Sequence, residues 1–344
     1  MSPNPVTSAP ATEVLRGAVR LSDWGVIRAQ GEDARKFLHG QLTQDVEHLE
    51  EGLARLAGYC SVKGRLQATF VMWSRGADEV LLACSADLLP AVLKRLSMFV
   101  LRAKCKLCDA SAELPVWGLV ADGGVDGESF GLAAVLPSPW RCLTDAALQM
   151  ADGVRTVADM AIRLPDAALP GGRAQGRYLL VGGSVPALPA ISLDTWRALE
   201  VHSGVGRVVA ATVEQFVPQM INLELVGGVN FQKGCYPGQE IVARSQYRGT
   251  LKRRAFVVTG AELLQPGREL FHSADLGQPA GRVVLSGQAA GAEPVALVEL
   301  KLAALGEGSL HAAEAAAEGS TADAVLGAAL TVLELPYAIP TEAP

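Results

Sequence analysis

A chain of 344 residues, 49% of them hydrophobic and 19% charged, is long enough for two or three domains and too apolar for intrinsic disorder. Its net charge of −6 excludes a general binder of nucleic acid or membrane surfaces, and six cysteines are too few for a disulfide scaffold. No stretch approaches the ~20 apolar residues of a bilayer span, because Leu88–Leu101, the longest candidate, is broken by Pro90, Lys94, Arg95 and Ser97.

Met1–Ala11, rich in Pro, Ser and Ala, lacks the basic patch and apolar core of a signal peptide. Residues 1–19 therefore read as a flexible tail, and a cytoplasmic location is expected. Residues 20–110 read as a first α+β unit. Apolar residues at Ala34, Phe37, Leu38, Leu42, Val46 and Leu49 have helical spacing across 32–49. Strands at 53–61 and 66–73 form a hairpin about the turn Val62-Lys63-Gly64-Arg65. A strand at 79–84 leads to a helix capped by Ser85, with Pro90 in its first turn and Leu88, Leu89, Val92, Leu93 and Leu96 on its buried face. A further strand is expected over 100–107.

Residues 111–250 read as a second α+β unit, turn-rich over 165–176. A helix over 193–202 is signalled by Ser192 as its cap, Asp194 at its positive end and Gly204 beyond its close. From 251 to 344 short apolar strands at 255–258, 281–285, 295–300 and 329–335 alternate with turns, as in a small barrel. The Ala/Glu/Gly-rich segment 306–323 interrupts the last of them as a mobile insertion or a short helical excursion.

The chemistry concentrates at Lys233-Gly234-Cys235-Tyr236-Pro237-Gly238-Gln239-Glu240. Two glycines bracket Cys235, so the backbone turns sharply there and is able to approach a ligand closely. A helix opening near Gly238, with Lys233 two residues before the thiol, is expected to favour a thiolate. The bland alternative is a small buried hydrophobe. From 241 to 261 five basic residues (Arg244, Arg248, Lys252, Arg253, Arg254) occur without an acid. That strip fits either a small anionic ligand or a solvated surface.

Elsewhere, Cys105 and Cys108 have metal-ligand spacing but no second pair, while Cys60, Cys84 and Cys142 sit in apolar runs. The five histidines are scattered, so no metal site is expected. The absence of phosphate-loop, dinucleotide and nucleophile-elbow motifs tells against nucleotide hydrolysis and hydride transfer.

Three blocks carry a resemblance. They are Phe37-Leu-His-Gly-Gln-Leu-Thr43 with Asp45-Val46, Tyr59-Cys-Ser-Val-Lys-Gly-Arg65, and the run from Phe216-Val-Pro-Gln-Met-Ile-Asn-Leu223 through Gly227-Gly-Val-Asn-Phe231 and the cysteine motif to Arg254. Together they resemble the YgfZ family of folate-binding proteins, which has mitochondrial iron–sulfur assembly relatives. The wider likeness is to the glycine-cleavage T protein. It implies an α+β three-domain cloverleaf, with two ferredoxin-like units that interleave and a C-terminal β-barrel around a folate channel.

The resemblance further implies a tetrahydrofolate-binding accessory protein for iron–sulfur cluster assembly or repair that supports tRNA-modifying enzymes. The alternative is a tetrahydrofolate-dependent aminomethyltransferase or demethylase. The catalytic Asp of the transferase has only a shortened, shifted counterpart in Ala83-Cys-Ser-Ala-Asp87. Cys235 and Lys233 would carry the thiol chemistry. Glu200 would bind the pterin, because His202 stands where the transferase has its Glu. Phe231 and Tyr236 would stack, Gln239 and Glu240 would line the site, and Arg244, Arg248 and Arg253 would hold the glutamyl tail. The expected partners are a reduced folate and, transiently, iron–sulfur proteins. Neither stable nucleic-acid binding nor membrane association is expected, and the chain is expected to be a monomer.

Overall fold

The computed structural model describes residues 16–122, 136–149, 155–183, 188–247, 251–313 and 326–340. In chain order the first part comprises β1 (Gly17–Arg20), β2 (Trp24–Gln30), helix α1 (Ala34–His39), β3 (Ala54–Cys60), β4 (Leu66–Ser74), β5 (Glu79–Ser85), helix α2 (Leu89–Phe99) and β6 (Lys106–Asp109). Next come β7 (Val116–Asp122), β8 (Cys142–Gln149), β9 (Arg155–Leu169), β10 (Arg173–Val181), helix α3 (Leu193–His202) and helix α4 (Gln239–Tyr247). The last part is β11 (Arg253–Thr259), β12 (Glu269–His272), β13 (Gly281–Gly287), β14 (Val295–Lys301), β15 (Leu310–Ala313) and β16 (Leu326–Leu333).

These strands make two antiparallel five-stranded sheets, β3-β4-β5-β2-β6 and β1-β7-β10-β9-β8, and a closed barrel, β11-β14-β13-β12-β15-β16. The first strand, which sequence reading leaves in a tail, pairs with β7 and so belongs to the second sheet. Central strands β4 and β5 are buried along almost their whole length, which accounts for their near-continuous apolar sequence.

Helix α3 is the keystone. Ser192 Oγ accepts the Thr195 N–H at 3.0 Å, and Gly204 takes a left-handed φ of 66° just past the helix end. Its Trp196 ring lies on Gly118 of β7, where an added Cβ would come within 2.5 Å. On the barrel side Gly287 of β13 abuts the Ala198 backbone, so glycines let α3 join the second sheet and the barrel at close range. Tyr337, beyond the barrel, donates its hydroxyl to the Gly204 carbonyl at 2.7 Å and pins the loop leaving α3.

Four local expectations are corrected. Apolar spacing over 32–49 predicts one helix, but only 34–39 is helical, because Thr43 and Gln44 leave it to bond the Gly228 and Gly227 carbonyls at 2.6 and 2.7 Å. Ser85 does not cap α2; its hydroxyl donates to the Val208 carbonyl at 2.6 Å. The strand expected over 100–107 is confined to 106–109, with turns before it and Leu101 at a φ of 46°. Residues 165–176, expected as turns, are mostly the β9–β10 hairpin. Of the insertion at 306–323, residues 310–313 form β15 and those from 314 lie outside the described residues. Among the described residues no helix is long and apolar enough to cross a membrane.

Candidate functional site

The motif blocks that are distant in sequence meet in space. The Lys233 ammonium donates to the backbone carbonyls of His39 and, at 2.9 Å, Leu42, while the Asn230 N–H donates to the Thr43 carbonyl at 2.9 Å. Gly238, at a φ of 78°, packs against the β3–β4 turn, where an added Cβ would strike the Ser61 carbonyl and lie 2.6 Å from Gly64 N. The cysteine loop is therefore clamped on both flanks by the first unit. Behind it, Gln219 Nε2 donates to the Val242 carbonyl at 2.8 Å and Asn222 Nδ2 to that of Ala255 at 2.9 Å, which ties α4 and the barrel to the same segment.

Within this frame Cys235 is exposed, whereas Cys60, Cys84 and Cys142 are buried and Cys105 and Cys108 half-buried. Burial pushes the Cys60 and Cys84 thiols up to about 12 and those of Cys105 and Cys142 up to about 11. Lys233 is 9% exposed. Burial brings its pKa down to about 8, partly opposed by Asp45, Glu47 and Cys235. Its amine lies 5.1 Å from the centre of the buried Tyr236 ring, whose hydroxyl pKa burial raises. Lys233 thus acts first as a clamp on the loop.

Sequence reasoning missed His39 and Asp45. A Cβ on Gly234 would stand 3.3 Å from His39 Nε2, and His39 Nδ1 lies 3.1 Å from Asp45 Oδ1, so this pair borders the cysteine loop. Asp45 also meets His48 Nδ1 at 2.9 Å. Burial alone would raise the Asp45 pKa, but hydrogen bonds from His48 and the charges of both histidines bring it below its ordinary value. Their signal was present in the Phe37–Asp45 block.

The other motif residues spread along α4 and beyond. Half-buried Phe231 meets Tyr247 edge-on at 5.8 Å, Gln239 opens α4, and Glu240 and Arg244 face solvent. Arg248 lies outside the described residues. Arg253 is on β11, its Nη1 on both oxygens of Glu299 at 2.7 and 2.9 Å.

Glu200 is elsewhere, and it is not the exposed helix acid that its position in α3 allowed. It is 6% exposed, and both its oxygens accept from Arg207, at 3.0 Å from Nε and 2.9 Å from Nη2. Burial opposes the Arg207 charge, yet Glu200 and Asp23 hold its pKa above the ordinary value. The guanidinium also lies 4.8 Å from the centre of the Trp24 ring. This pair forms one wall of a cavity of about 620 Å3 between the first unit, α3 and the barrel, with Asp23, Asp87, Asp194 and Arg197 at its rim. Beneath it a slot of about 30 Å3 lies among Trp24, Phe70, Trp140 and Arg177. Arg177, its pKa lowered to about 10 by burial, donates to the Pro165 carbonyl at 2.9 and 3.1 Å.

Two buried polar atoms have no protein partner: Asp23 Oδ1, whose residue lines the cavity, and Trp24 Nε1, whose residue lines the slot. A ligand with a polar N–H edge would suit Asp23 Oδ1, and the cavity volume is in the range of small-molecule sites. Cys235, Phe231, Tyr236 and Arg244 are not among the described residues lining the cavity. Burial lowers the His202 pKa from its ordinary value, against a hydrogen bond with the Ala168 backbone.

This architecture is that of the glycine-cleavage T protein. The crystal structure of glycine cleavage system aminomethyltransferase T from Bartonella henselae aligns with a TM-score of 0.62 over 94% of this chain and 87% of that one, at 16% identity. No family model matches the chain. The tRNA-modifying protein YgfZ of Colwellia psychrerythraea is 31% identical over 256 residues, covering 72% of each chain. That of Photorhabdus laumondii is 32% identical over 252 residues, covering 71% of this chain and 70% of the relative. The chain belongs to the YgfZ family.

Proposed function

We propose that this protein is a folate-binding accessory factor for iron–sulfur cluster assembly or repair, serving cluster enzymes that include tRNA-modifying ones, with Cys235 as its functional thiol. The observation that carries the reading is the division of labour within one frame. A single exposed thiol sits on a clamped loop, and a separate cavity lined by Asp23, one of whose carboxylate oxygens is unpartnered, lies between three structural units. The relatives named as tRNA-modifying proteins support the enzymes served.

In the cavity, tetrahydrofolate or a derivative would turn its amino and ring N–H edge to a carboxylate. Glu200 is spent on Arg207, so the free acceptor is Asp23 Oδ1 and Glu200 positions the wall behind it. Titration calorimetry with tetrahydrofolate tests this. The wild type should bind one equivalent, and Asp23→Asn should weaken binding at least tenfold. A wild type that binds no reduced folate ends the folate reading.

A folate-dependent aminomethyl or demethyl transfer is the second reading. Its one supporting observation is Asp87, a carboxylate at the cavity rim. That carboxylate already accepts the Ala210 N–H at 2.9 Å, which leaves it poorly placed as a general base. Turnover of an aminomethyl or N-methyl donor with tetrahydrofolate would establish the transfer.

A further inference from the structure

A second concavity, of about 370 Å3, opens between the β3–β4 turn and the barrel. Four cations line it (Arg65, Arg253, Arg282 and Lys301) against two carboxylates, Glu269 and Glu299. In a chain with a net charge of −6 that imbalance is local and specific. Each carboxylate is already engaged, Glu299 by Arg253 and Glu269 by Arg282 at 2.5 Å. Arg65 acts on Glu299 through its charge without forming a salt bridge, and its guanidinium donates to the Gln215 carbonyl.

The strand register sharpens the point. Arg253 of β11 stands directly opposite Lys301 of β14, and like charges so placed repel. Glu299, 3% exposed, is shared with Arg282 across β13. Two carboxylates therefore face four cations, which leaves an excess of positive charge in the cleft. Arg65 is brought to this cleft from the first unit by donating to the Gln215 carbonyl at 2.6 Å.

The cleft adjoins the folate cavity along two segments. Residues 209–211 line the cavity while Gln215 and Phe216 line the cleft, and on β13 Leu285 faces the one and Arg282 the other. Three strand residues span roughly 10 Å. The loop Pro266-Gly267 joins them too, since Pro266 lines the cavity and the Gly267 carbonyl accepts from Arg282 Nη1 at 2.9 Å. The cavity lining carries four carboxylates (Asp23, Asp87, Asp194 and Glu200) against two guanidiniums (Arg197 and Arg207), an acidic balance that disfavours an anionic tail.

We propose that this cleft is a binding site for the γ-linked glutamyl tail of a polyglutamylated folate, taking two or more carboxylates on Arg65, Arg282 and Lys301 beside Arg253. The inference rests on the folate reading and extends it. It keeps Arg253 as a tail residue and replaces Arg244, which lies away on α4.

Calorimetry with tetrahydrofolate monoglutamate and tetraglutamate tests it, on the wild type, Arg65→Ala, Lys301→Ala and the remote surface control Lys94→Ala. The tetraglutamate should bind the wild type and the control at least tenfold more tightly than the monoglutamate. That ratio should fall below threefold in either cleft variant, and shrink for the wild type at high salt. Equal binding of the two forms by the wild type overturns the cleft while leaving the folate reading intact. So does a ratio preserved in both cleft variants. If neither form binds, the folate reading itself fails. If inorganic pyrophosphate occupies the cleft and the tetraglutamate does not displace it, the site belongs to a phosphate ligand and the glutamyl assignment is wrong.

Discussion

Replacing Lys233 by Met would retain its apolar stem and remove the ammonium that clamps the cysteine loop. The His39 and Leu42 carbonyls would lose a donor, at about 1–3 kcal/mol for each buried acceptor. Opposing this, burial lowers the Lys233 pKa from 10.5 to about 8, so holding the charge at neutral pH costs up to ~3 kcal/mol. The terms nearly offset at pH 7, and the variant should lose only about 1 kcal/mol, roughly 2 °C in Tm. The pH dependence separates them. Above about 8 the folded chain releases a proton that the unfolded chain keeps up to 10.5. The unfolded state then binds more protons, so this group adds stability to the wild type as pH rises through that window. The neutral amine still donates N–H, so the clamp persists. Allowing for partial solvent access, the stability gap between wild type and variant should widen by about 1–2 kcal/mol from pH 7 to pH 9.5. Urea unfolding of both proteins at the two pH values measures it. A gap that stays constant or narrows would refute the buried-ammonium clamp.

Gly238→Ala should cost about 2–4 kcal/mol, because its left-handed backbone and the Ser61 carbonyl leave no room for a methyl, and a melt unchanged within 1 °C would count against the docked loop. Glu200→Leu should destabilise by about 2–4 kcal/mol because the buried Arg207 guanidinium loses its bidentate partner and keeps only Asp23 as a carboxylate partner, at 3.3 Å, with Glu200→Leu/Arg207→Met recovering much of it in chemical denaturation. If the double variant is as unstable as the single one, the pair is not the cause. Iodoacetamide should label Cys235 first in the native protein, as read by peptide mass spectrometry, and earlier labelling of Cys60 or Cys84 would contradict their burial.

Elements whose signals are local were legible in the sequence. The α3 helix announced itself through Ser192 and Gly204, and the β3–β4 hairpin through its turn. The barrel strands followed the turns between them. What failed did so where tertiary bonds override a local pattern. The periodicity past Gly40 is helical, yet Thr43 and Gln44 gain more by capping the Gly227-Gly228 carbonyls than by continuing α1. Ser85 offers a cap but is drawn to Val208.

The site was legible only in part. The motif singled out Cys235 and Lys233 but could not show that the Lys233 ammonium turns to His39 and Leu42, in a block near the N-terminus. Nor could it reveal that Glu200 is committed to Arg207, since that partner follows the helix in an irregular loop. The basic strip read as one feature in sequence divides in space: Arg244 faces solvent on α4, while Arg253 joins cations from three other segments.

Complementation of a strain lacking its own YgfZ-family protein tests the role of the Cys235 thiol most directly. Cys235→Ser should fold with a melt like that of the wild type, because the side chain is exposed, and should fail to restore cluster-dependent tRNA methylthiolation. Full restoration by the serine variant would contradict the thiol role.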